Sequence, residues 1–327
     1  MSAFAICCAF VLWSLTSCGQ REDFGAVDFT KADSIAALYS SHSLSNLNAL
    51  ANKLTLPLHT DVEKFRSLYK WVCNNIEFDY SLYQIQKKAR QKTRSKEEWE
   101  QWNRAFTCKT LKALVEDKRT VCTGYAYLLK ELAAHANIRC EMVHGYGRTA
   151  TSNIVNGYPN HSWNAVQLNN KWYLCDPTWS SGAYNTTSMK YEKKFEDGYF
   201  LASPSLFVRN HYPTDTAWML TKEKLSQSGF LTQPLIYANA FKHRIENIFP
   251  ETMNIEMAKY EVMSTQIASR LPIKKIQMQM NGKAIADGVS VSSNDQQLSH
   301  QFKSKGRYVV HVLADSDPIA TYIVNVK

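Results

Sequence analysis

Apolar side chains that recur every three or four residues predict helices along the first half of the chain. Thr60 and Glu63 are spaced as a capping box, the signal of a helix start. Residues 96–117 also have a helical pattern. Residues 120–137 predict a further helix that begins near Cys122 and carries its apolar face on Tyr125, Leu128, Leu129, Leu132 and Ala136.

The pattern then changes to alternation, which predicts strands at residues 139–145 and on both sides of Asn169-Asn170. Asparagine tolerates positive φ, so these two residues suit a two-residue hairpin turn. With that turn, Leu168 opposes Lys171, and His161 and Asp176 lie on one face as diagonal neighbours. Cys175 then points to the opposite face, towards packing or a disulfide.

From residue 254 onwards, short alternating runs separated by Asn-Gly and Asp-Gly predict a small all-β unit, which we interpret as a sandwich. The fold class is therefore α+β, with helices followed by an antiparallel sheet. We expect a first domain at residues 31–240 and a C-terminal β-sandwich-like domain at residues 250–327.

The first residues predict export of the chain. The run Ala3 to Leu15 is apolar and too short to span a bilayer, so residues 1–17 are predicted to be a signal peptide. Leu15-Thr16-Ser17-Cys18 resembles the lipobox of bacterial lipoproteins, which implies lipidation at Cys18, a tether at residues 18–30 and a membrane partner. The expected location is extracytoplasmic, on the outer membrane, and surface exposed if the acidic-containing run after Cys18 is an export tether.

The distribution of charge and the spacing of the cysteines exclude some classes of partner and site. The 327 residues carry a net charge of +9, and residues 86–104 hold seven basic and three acidic side chains. We interpret that run as a solvated helix face and expect no nucleic-acid partner. Cysteine and histidine spacing matches no zinc site, so neither metal nor cofactor is expected. The pairing of Cys73, Cys108, Cys140 and Cys175 stays open.

Cys122 is the cysteine whose position favours a role as nucleophile. A thiol at a helix N-terminus is stabilised as thiolate by the helix dipole, and an imidazole oriented by Asp176 could serve it. The alternatives are that Cys122 is a small buried hydrophobe and that His161 and Asp176 are satisfied separately. The Cys122 N–H is one oxyanion donor; Trp71, Tyr80 and Trp102 are open candidates for the second.

These residues carry a resemblance. The run from Phe65 to about Leu220 resembles the transglutaminase-like superfamily, in the variety shared with kyphoscoliosis peptidase and transglutaminase-like cytokinesis proteins. The matching motifs are Tyr69-Lys70-Trp71, Val121-Cys122-Thr123-Gly124-Tyr125-Ala126, His161-Ser162-Trp163-Asn164, Trp172 to Trp179 and residues 199–213. One departure is Thr120, where the family usually has glycine.

The resemblance implies Cys122 as nucleophile, His161 as general base and acid, and Asp176 as the residue that orients the imidazole. It implies attack on protein or peptide amides, with hydrolysis by a peptidase or amidase favoured over transamidation. We expect Trp163, Tyr125 and Trp179 to line the substrate groove and interpret His144 and His211 as structural. The alternative function is an unused scaffold that serves as a cell-surface binding module.

Overall fold

The computed structural model describes residues 20–149, 154, 157–185, 188–285, 288–291 and 295–327. The predicted signal peptide and Cys18 lie outside the described residues, so lipidation stays a prediction. Within the described part of the chain, no helix combines the length and the apolar character that crossing a membrane requires.

Ten α-helices are present among the described residues, and the longest of them precede the first long strand. They are α1 (Thr30–Leu38), α2 (Leu47–Thr55), α3 (Asp61–Asn75), α4 (Tyr80–Lys92), α5 (Lys96–Asp117), α6 (Cys122–His135), α7 (Pro177–Ser181), α8 (Pro204–Phe207), α9 (Gln227–Thr232) and α10 (Ala238–Lys242).

The described residues form eighteen strands. They are β1 (Glu77–Phe78), β2 (Arg119–Thr120), β3 (Cys140–Gly147), β4 (His161–Leu168), β5 (Lys171–Cys175), β6 (Gly182–Asn185), β7 (Lys190–Lys193), β8 (His211–Pro213), β9 (Leu235–Ile236), β10 (Ile245–Phe249), β11 (Asn254–Met257), β12 (Val262–Ser269), β13 (Ile276–Met280), β14 (Lys283–Ala284), β15 (Gly288–Val291), β16 (Asp295–Gln301), β17 (Gly306–Ala314) and β18 (Asp317–Val326).

Local sequence signals account for the helix boundaries. The capping box forms as predicted: Thr60 accepts from the N–H of Glu63 while the Glu63 carboxylate accepts from the N–H of Thr60. Helix α5 has the predicted bounds of residues 96–117. Helix α6 is followed by Asn137 with φ of 57°, a left-handed residue that ends the helix.

The basic run at residues 86–104 does not form one solvated face. It spans the end of α4, a break at residues 93–95 and the start of α5. Gln86, Arg90 and Trp99 within it are buried, and the Arg90 guanidinium lies over the Trp99 ring. Hydrophobic packing between the two helices explains this difference from the sequence interpretation.

A four-stranded antiparallel sheet in the order β5-β4-β3-β8 carries the predicted hairpin. Leu168 pairs with Lys171 as expected, and both Asn169 and Asn170 have positive φ. One sheet face packs against α6 and the other N-terminal helices, with Cys140, Val166 and Cys175 in that core. The opposite face, with Val143, Trp163 and Leu174, belongs to a second core.

That second core continues into the C-terminal part, where two sheets pack as a sandwich. The orders are β10-β12-β16-β15 and β11-β18-β17-β13-β14, and β9 pairs with β18 through Ile236 and Ala320. Strands β9 and β10 both precede the predicted start at residue 250. They share a hydrophobic core with the strands that follow, and the domain boundary at residue 250 stays a prediction.

The described part of the predicted tether lies against the body. Residues 20–24 form a 3₁₀ helix in which Asp23 accepts hydrogen bonds from Tyr173 and Lys171. Phe24 is 7% exposed and joins the helical core. Burial of this aromatic side chain and the ion pairs around it explain why this segment is ordered against the fold, although it is polar overall.

Candidate active site

Cys122 is the first residue of α6, and its surroundings allow a close approach of helix and sheet. A Cβ on Gly124 would overlap the Thr120 side chain, so only glycine fits there. The Asn164 amide of β4 donates to the Ala126 carbonyl of α6 at 2.9 Å. This bond holds the helix that carries Cys122 against the strand that carries His161.

His161 and Asp176 meet at the open end of the β4–β5 hairpin. The distance from His161 Nε2 to Asp176 Oδ2 is 2.7 Å, and both residues are buried. Asp176 is also the N-cap of α7, because its Oδ1 accepts from the N–H groups of Thr178 at 2.8 Å and Trp179 at 3.1 Å. The carboxylate is therefore fixed by the helix it caps.

Tyr69 of α3 supports Asp176 from the helical side. Its hydroxyl donates to the Asp176 carbonyl at 2.9 Å and lies 2.7 Å from Ser180 Oγ. Tyr69 is fully buried. The backbone of Asp176 is thus tied to the helices as well as to the sheet.

His211 is a second histidine on the same carboxylate oxygen. Strand β8 pairs with β3 through Gly147 and His211, which brings His211 Nε2 within 3.0 Å of Asp176 Oδ2. The ring stacks on Phe207, with centroids 3.9 Å apart. The sequence interpretation of His211 as structural fits its burial but omits this contact, which depends on strand pairing 35 residues beyond Asp176.

The Cys122 thiol and the His161 ring stabilise each other's charged forms. Burial alone would raise the pKa of Cys122, yet hydrogen bonds from His161 and from the Ser162 N–H, with the positive charges of His161 and Arg90, bring this pKa below its ordinary value. Burial opposes a charge on His161, but Asp176 and Cys122 outweigh burial and raise its pKa to about 10. The arrangement favours a thiolate–imidazolium pair at neutral pH.

His211 differs from His161 in its charge state. Both of its nitrogens face oxygens, because Asn210 Oδ1 lies 2.6 Å from Nδ1, and this alone would favour an imidazolium. Burial instead lowers the pKa of His211 to about 4. We assign the neutral form, because two imidazolium rings 5.3 Å apart would share one carboxylate. The Asn210 NH₂ group donates elsewhere, to the Ile236 carbonyl and the Tyr199 hydroxyl, at 3.3 Å each.

Asp176 remains ionised in this setting. Burial by itself raises the pKa of its carboxyl group, but the charge and the hydrogen bond of His161, together with the hydrogen bond from His211, hold the pKa well below its ordinary value. With the two backbone donors of α7, the carboxylate accepts four hydrogen bonds. A buried carboxylate with that many donors is stable as an anion.

Trp179 shields the imidazole. Its ring is stacked on His161 with centroids 5.0 Å apart. Gly147 permits this packing, because a Cβ there would lie 3.0 Å from His161 Cβ and 3.1 Å from the Trp179 ring. The His161–Asp176 hydrogen bond is thereby screened from water, which strengthens it.

Among the described residues, His161, Asp176 and His211 are the group whose ligand atoms could approach one metal ion, since these atoms lie within 4.8 Å of one another. Hydrogen bonds already account for the cluster: both histidines donate to Asp176 Oδ2, and Oδ1 is held by two backbone N–H groups. A metal ion would have to displace these bonds.

An open groove of about 630 Å³ exposes Cys122 and His161. Trp179 lines it as predicted, whereas Trp163 and Tyr125 are buried in the two cores. Trp163 packs edge-on against His211 behind the imidazole, and the Tyr125 hydroxyl donates to the Ile76 carbonyl. Alternation and helical spacing place an aromatic residue on a face, but do not tell which face the groove opens on.

The three candidates for the second oxyanion donor differ in whether they reach the groove. Tyr80 lines the groove. Trp71 is fully buried and donates to the Tyr39 carbonyl at 2.8 Å, and Trp102 stacks between Trp99 and Phe106. The start of α6 has no side-chain cap, and the Gly124 N–H donates to the Val121 carbonyl at 2.9 Å. The N–H groups of Cys122 and Thr123 are therefore the first-turn candidates for an oxyanion.

The other thiols and His144 lie outside this arrangement. The five described cysteines are free: Cys73, Cys108, Cys122, Cys140 and Cys175. Burial raises the pKa of Cys73, Cys140 and Cys175, whereas Cys108 is exposed. His144 bonds to Ser162 Oγ at 2.9 Å.

Residues 48–177 match the family model of the transglutaminase-like superfamily, a range that contains Cys122, His161 and Asp176. Kyphoscoliosis peptidase of Mus musculus is 28% identical over 289 residues, which are 88% of this chain and 40% of that protein. The Lim and transglutaminase domain protein ltd-1 of Caenorhabditis elegans is 23% identical, over 79% of this chain and 35% of that protein.

A crystal structure of a TGase is 17% identical, covers 46% of this chain and 32% of that chain, and has a TM-score of 0.29. The chain spans about 40% or less of the length of these curated relatives. The sequence matches thus agree with a transglutaminase-like core followed by antiparallel sheets.

Proposed function

We propose that this chain, whose residues 48–177 match the transglutaminase-like superfamily, is a thiol-dependent acyl-transfer enzyme that hydrolyses protein or peptide amides. The observation that carries the proposal is the buried Asp176–His161 hydrogen bond of 2.7 Å beside the Cys122 thiol. It supports a resting thiolate–imidazolium pair in a groove open to substrate.

In the first step the Cys122 thiolate attacks the carbonyl carbon of the amide, an S–C bond forms, and the carbonyl oxygen becomes an oxyanion. The first-turn N–H groups of α6 can stabilise this charge. The His161 imidazolium then gives its proton to the amide nitrogen as the C–N bond breaks. The amine leaves and a thioester remains on Cys122.

In the second step His161, now neutral, takes a proton from water while the oxygen of that water attacks the thioester carbon. Collapse of the second oxyanion releases the acid and restores the thiolate beside the imidazolium. Asp176 holds the ring with Nε2–H directed at its carboxylate, which leaves Nδ1 for Cys122 and the substrate. A primary amine in place of water would give transamidation by the same route.

His211 acts as a positioning residue in this scheme. As a neutral donor to Asp176 Oδ2 it restricts the carboxylate without adding a second buried cation. The proposed acid–base chemistry is therefore left to His161 alone.

The first test measures the reactivity of Cys122. At pH 6 an unperturbed thiol, with a pKa near 8.5, is about 0.3% ionised, so iodoacetamide should modify Cys122 faster than the exposed Cys108. Peptide mass spectrometry follows both sites in one sample. His161→Ala should slow Cys122 and leave Cys108 unchanged; equal Cys122 rates in both proteins would refute the pairing.

The second test is a peptide-library cleavage screen with Cys122→Ala as the inactive variant and Cys108→Ala as the matched control. Cleavage should be lost in the first and kept in the second. Products formed equally by the wild type and Cys122→Ala would sink the enzyme proposal. A reactive Cys122 that cleaves nothing would favour the alternative, a binding module built on an unused scaffold.

A further inference from the structure

The groove in front of Cys122 is assembled from three parts of the chain. Helix α4 and the paired strands β6 and β7 form adjoining walls, and residues 235–238, which span β9 and the start of α10, form another wall. The last of these walls is held by pairing of β9 with β18. A substrate segment therefore lies between structured surfaces, and the side chains on them determine what binds.

Aromatic rings join α4 to β6 and β7 and make this part of the groove apolar. Tyr80 of α4 stacks on Tyr184 of β6, with centroids 3.6 Å apart and planes 4° apart. Tyr83 packs against Tyr80 and Phe78, and Phe78 packs against Tyr191. Such surfaces suit the backbone and apolar side chains of an extended peptide, but they do not discriminate by charge.

Two basic residues give the groove a positive charge. Lys87 of α4 and Arg148 after β3 line the groove, and none of its described lining residues is Asp or Glu. Arg148 donates to the carbonyl oxygens of Phe230 and Gln233, and no carboxylate among the described residues neutralises it. Lys87 is half-buried and has no ion pair among the described residues. The groove therefore has an uncompensated positive charge.

We propose that the groove selects amide substrates that carry a carboxylate near the scissile bond, with Lys87 as the specificity-determining residue. An Asp or Glu side chain is the source we infer, because Lys87 continues the helical row of lining residues on α4 that includes Tyr83 and Gln84. A lysine side chain in the same place would meet like charge without a counter-ion. This inference rests on the proposed function.

The probes are acetylated tripeptidyl chloromethyl ketones in an alanine framework, with Glu, Gln or Lys placed at each position in turn. The Cys122 thiolate attacks the methylene carbon, an S–C bond forms, and the C–Cl bond breaks with loss of chloride. The second-order inactivation rate reports recognition. At the best position, Glu should react about fivefold faster than Gln, the upper range for a partly solvated ion pair, and Lys should react slowest.

Lys87→Met should bring the Glu and Gln inactivation rates to within about twofold of each other. Lys88→Met is the matched control, because Lys88 is the exposed neighbour on α4 and does not line the groove. It should keep the preference. Raising the salt concentration should reduce the preference in wild type, since screening weakens a partly exposed pair.

Competitor peptides distinguish an Asp or Glu side-chain carboxylate from a C-terminal carboxylate. An amidated Glu peptide should slow iodoacetamide alkylation of Cys122 more than a Gln peptide with a free C-terminus; the reverse order would overturn the side-chain assignment. Equal inactivation by Glu and Gln probes, or a preference that survives in Lys87→Met, would overturn the inference and leave the nucleophile intact. Failure of every probe to modify Cys122 would instead remove the proposed function and this inference with it.

Discussion

Replacing Asp176 with Asn tests the electrostatic basis of the site with little disturbance to the fold. Asn is as good an N-cap as Asp, and its Oδ1 can still accept from the N–H groups of Thr178 and Trp179. The change removes the negative charge 2.7 Å from His161 Nε2 and replaces the acceptor Oδ2 with an NH₂ group. The stabilisation of the imidazolium should be lost, together with the hydrogen bond that His211 makes to Oδ2 at 3.0 Å.

The geometry sets the size of this effect. Two unit charges with centres about 4 Å apart at an effective dielectric constant near 20 interact by about 4 kcal/mol, which corresponds to about 3 pKa units. The pKa of His161, about 10 in the wild type, should therefore fall to about 7. Below pH 7 the imidazolium persists, but at pH 8 only about a tenth of His161 stays protonated. The Cys122 thiolate then loses its stabilisation, so the alkylation rate at pH 8 should drop by up to about tenfold.

The assay is iodoacetamide modification from pH 5 to pH 9, with Cys122 and Cys108 quantified in the same digest. The Cys122 rates should fall above about pH 7 in Asp176→Asn, and the Cys108 rates should be the same in both proteins. Circular dichroism verifies that the variant is folded. A Cys122 profile that coincides with that of the wild type would refute the assignment of Asp176 as the charge that stabilises His161.

Two further predictions concern stability. His211→Phe should make stability less sensitive to acid, because a histidine with a pKa of about 4 in the fold and about 6.5 in the unfolded chain destabilises the fold as the pH falls below 6.5. Between pH 7 and 4.5, the loss of unfolding free energy measured in urea should therefore be smaller in the variant by about 2 kcal/mol. An equal loss in both proteins would contradict a neutral His211. Gly124→Ala should destabilise the fold by about 1–3 kcal/mol through overpacking, because the added methyl overlaps Thr120. Thr120→Gly in the same chain should recover part of that loss in thermal unfolding. Simple additivity of the two changes would contradict the clash.

The sequence predicts those parts of the fold and of the site that depend on residues close together in the chain. The Thr60–Glu63 capping box, the bounds of α5 and the Asn169-Asn170 turn all follow from residues that are close in the chain. The turn also determines hairpin parity, so the sequence alone places His161 and Asp176 on one face.

Contacts made by distant pairing could not be predicted in this way. His211 reaches Asp176 because β8 joins the sheet beside β3, and no periodicity in residues 199–213 encodes that neighbour. The groove wall at residues 235–238 depends likewise on β9 pairing with β18. Trp163 was expected in the groove, but alternation places it only on the side of His161, where it packs behind the ring.

The pairing of β9 with β18 also affects how this chain can evolve. A sandwich that merely trailed the catalytic part could be exchanged for an unrelated module by recombination. Here Ile236 is at once a groove residue and the partner of Ala320, so a transplanted C-terminal unit would have to restore that edge. Selection on what enters the groove therefore acts on both halves of the gene together.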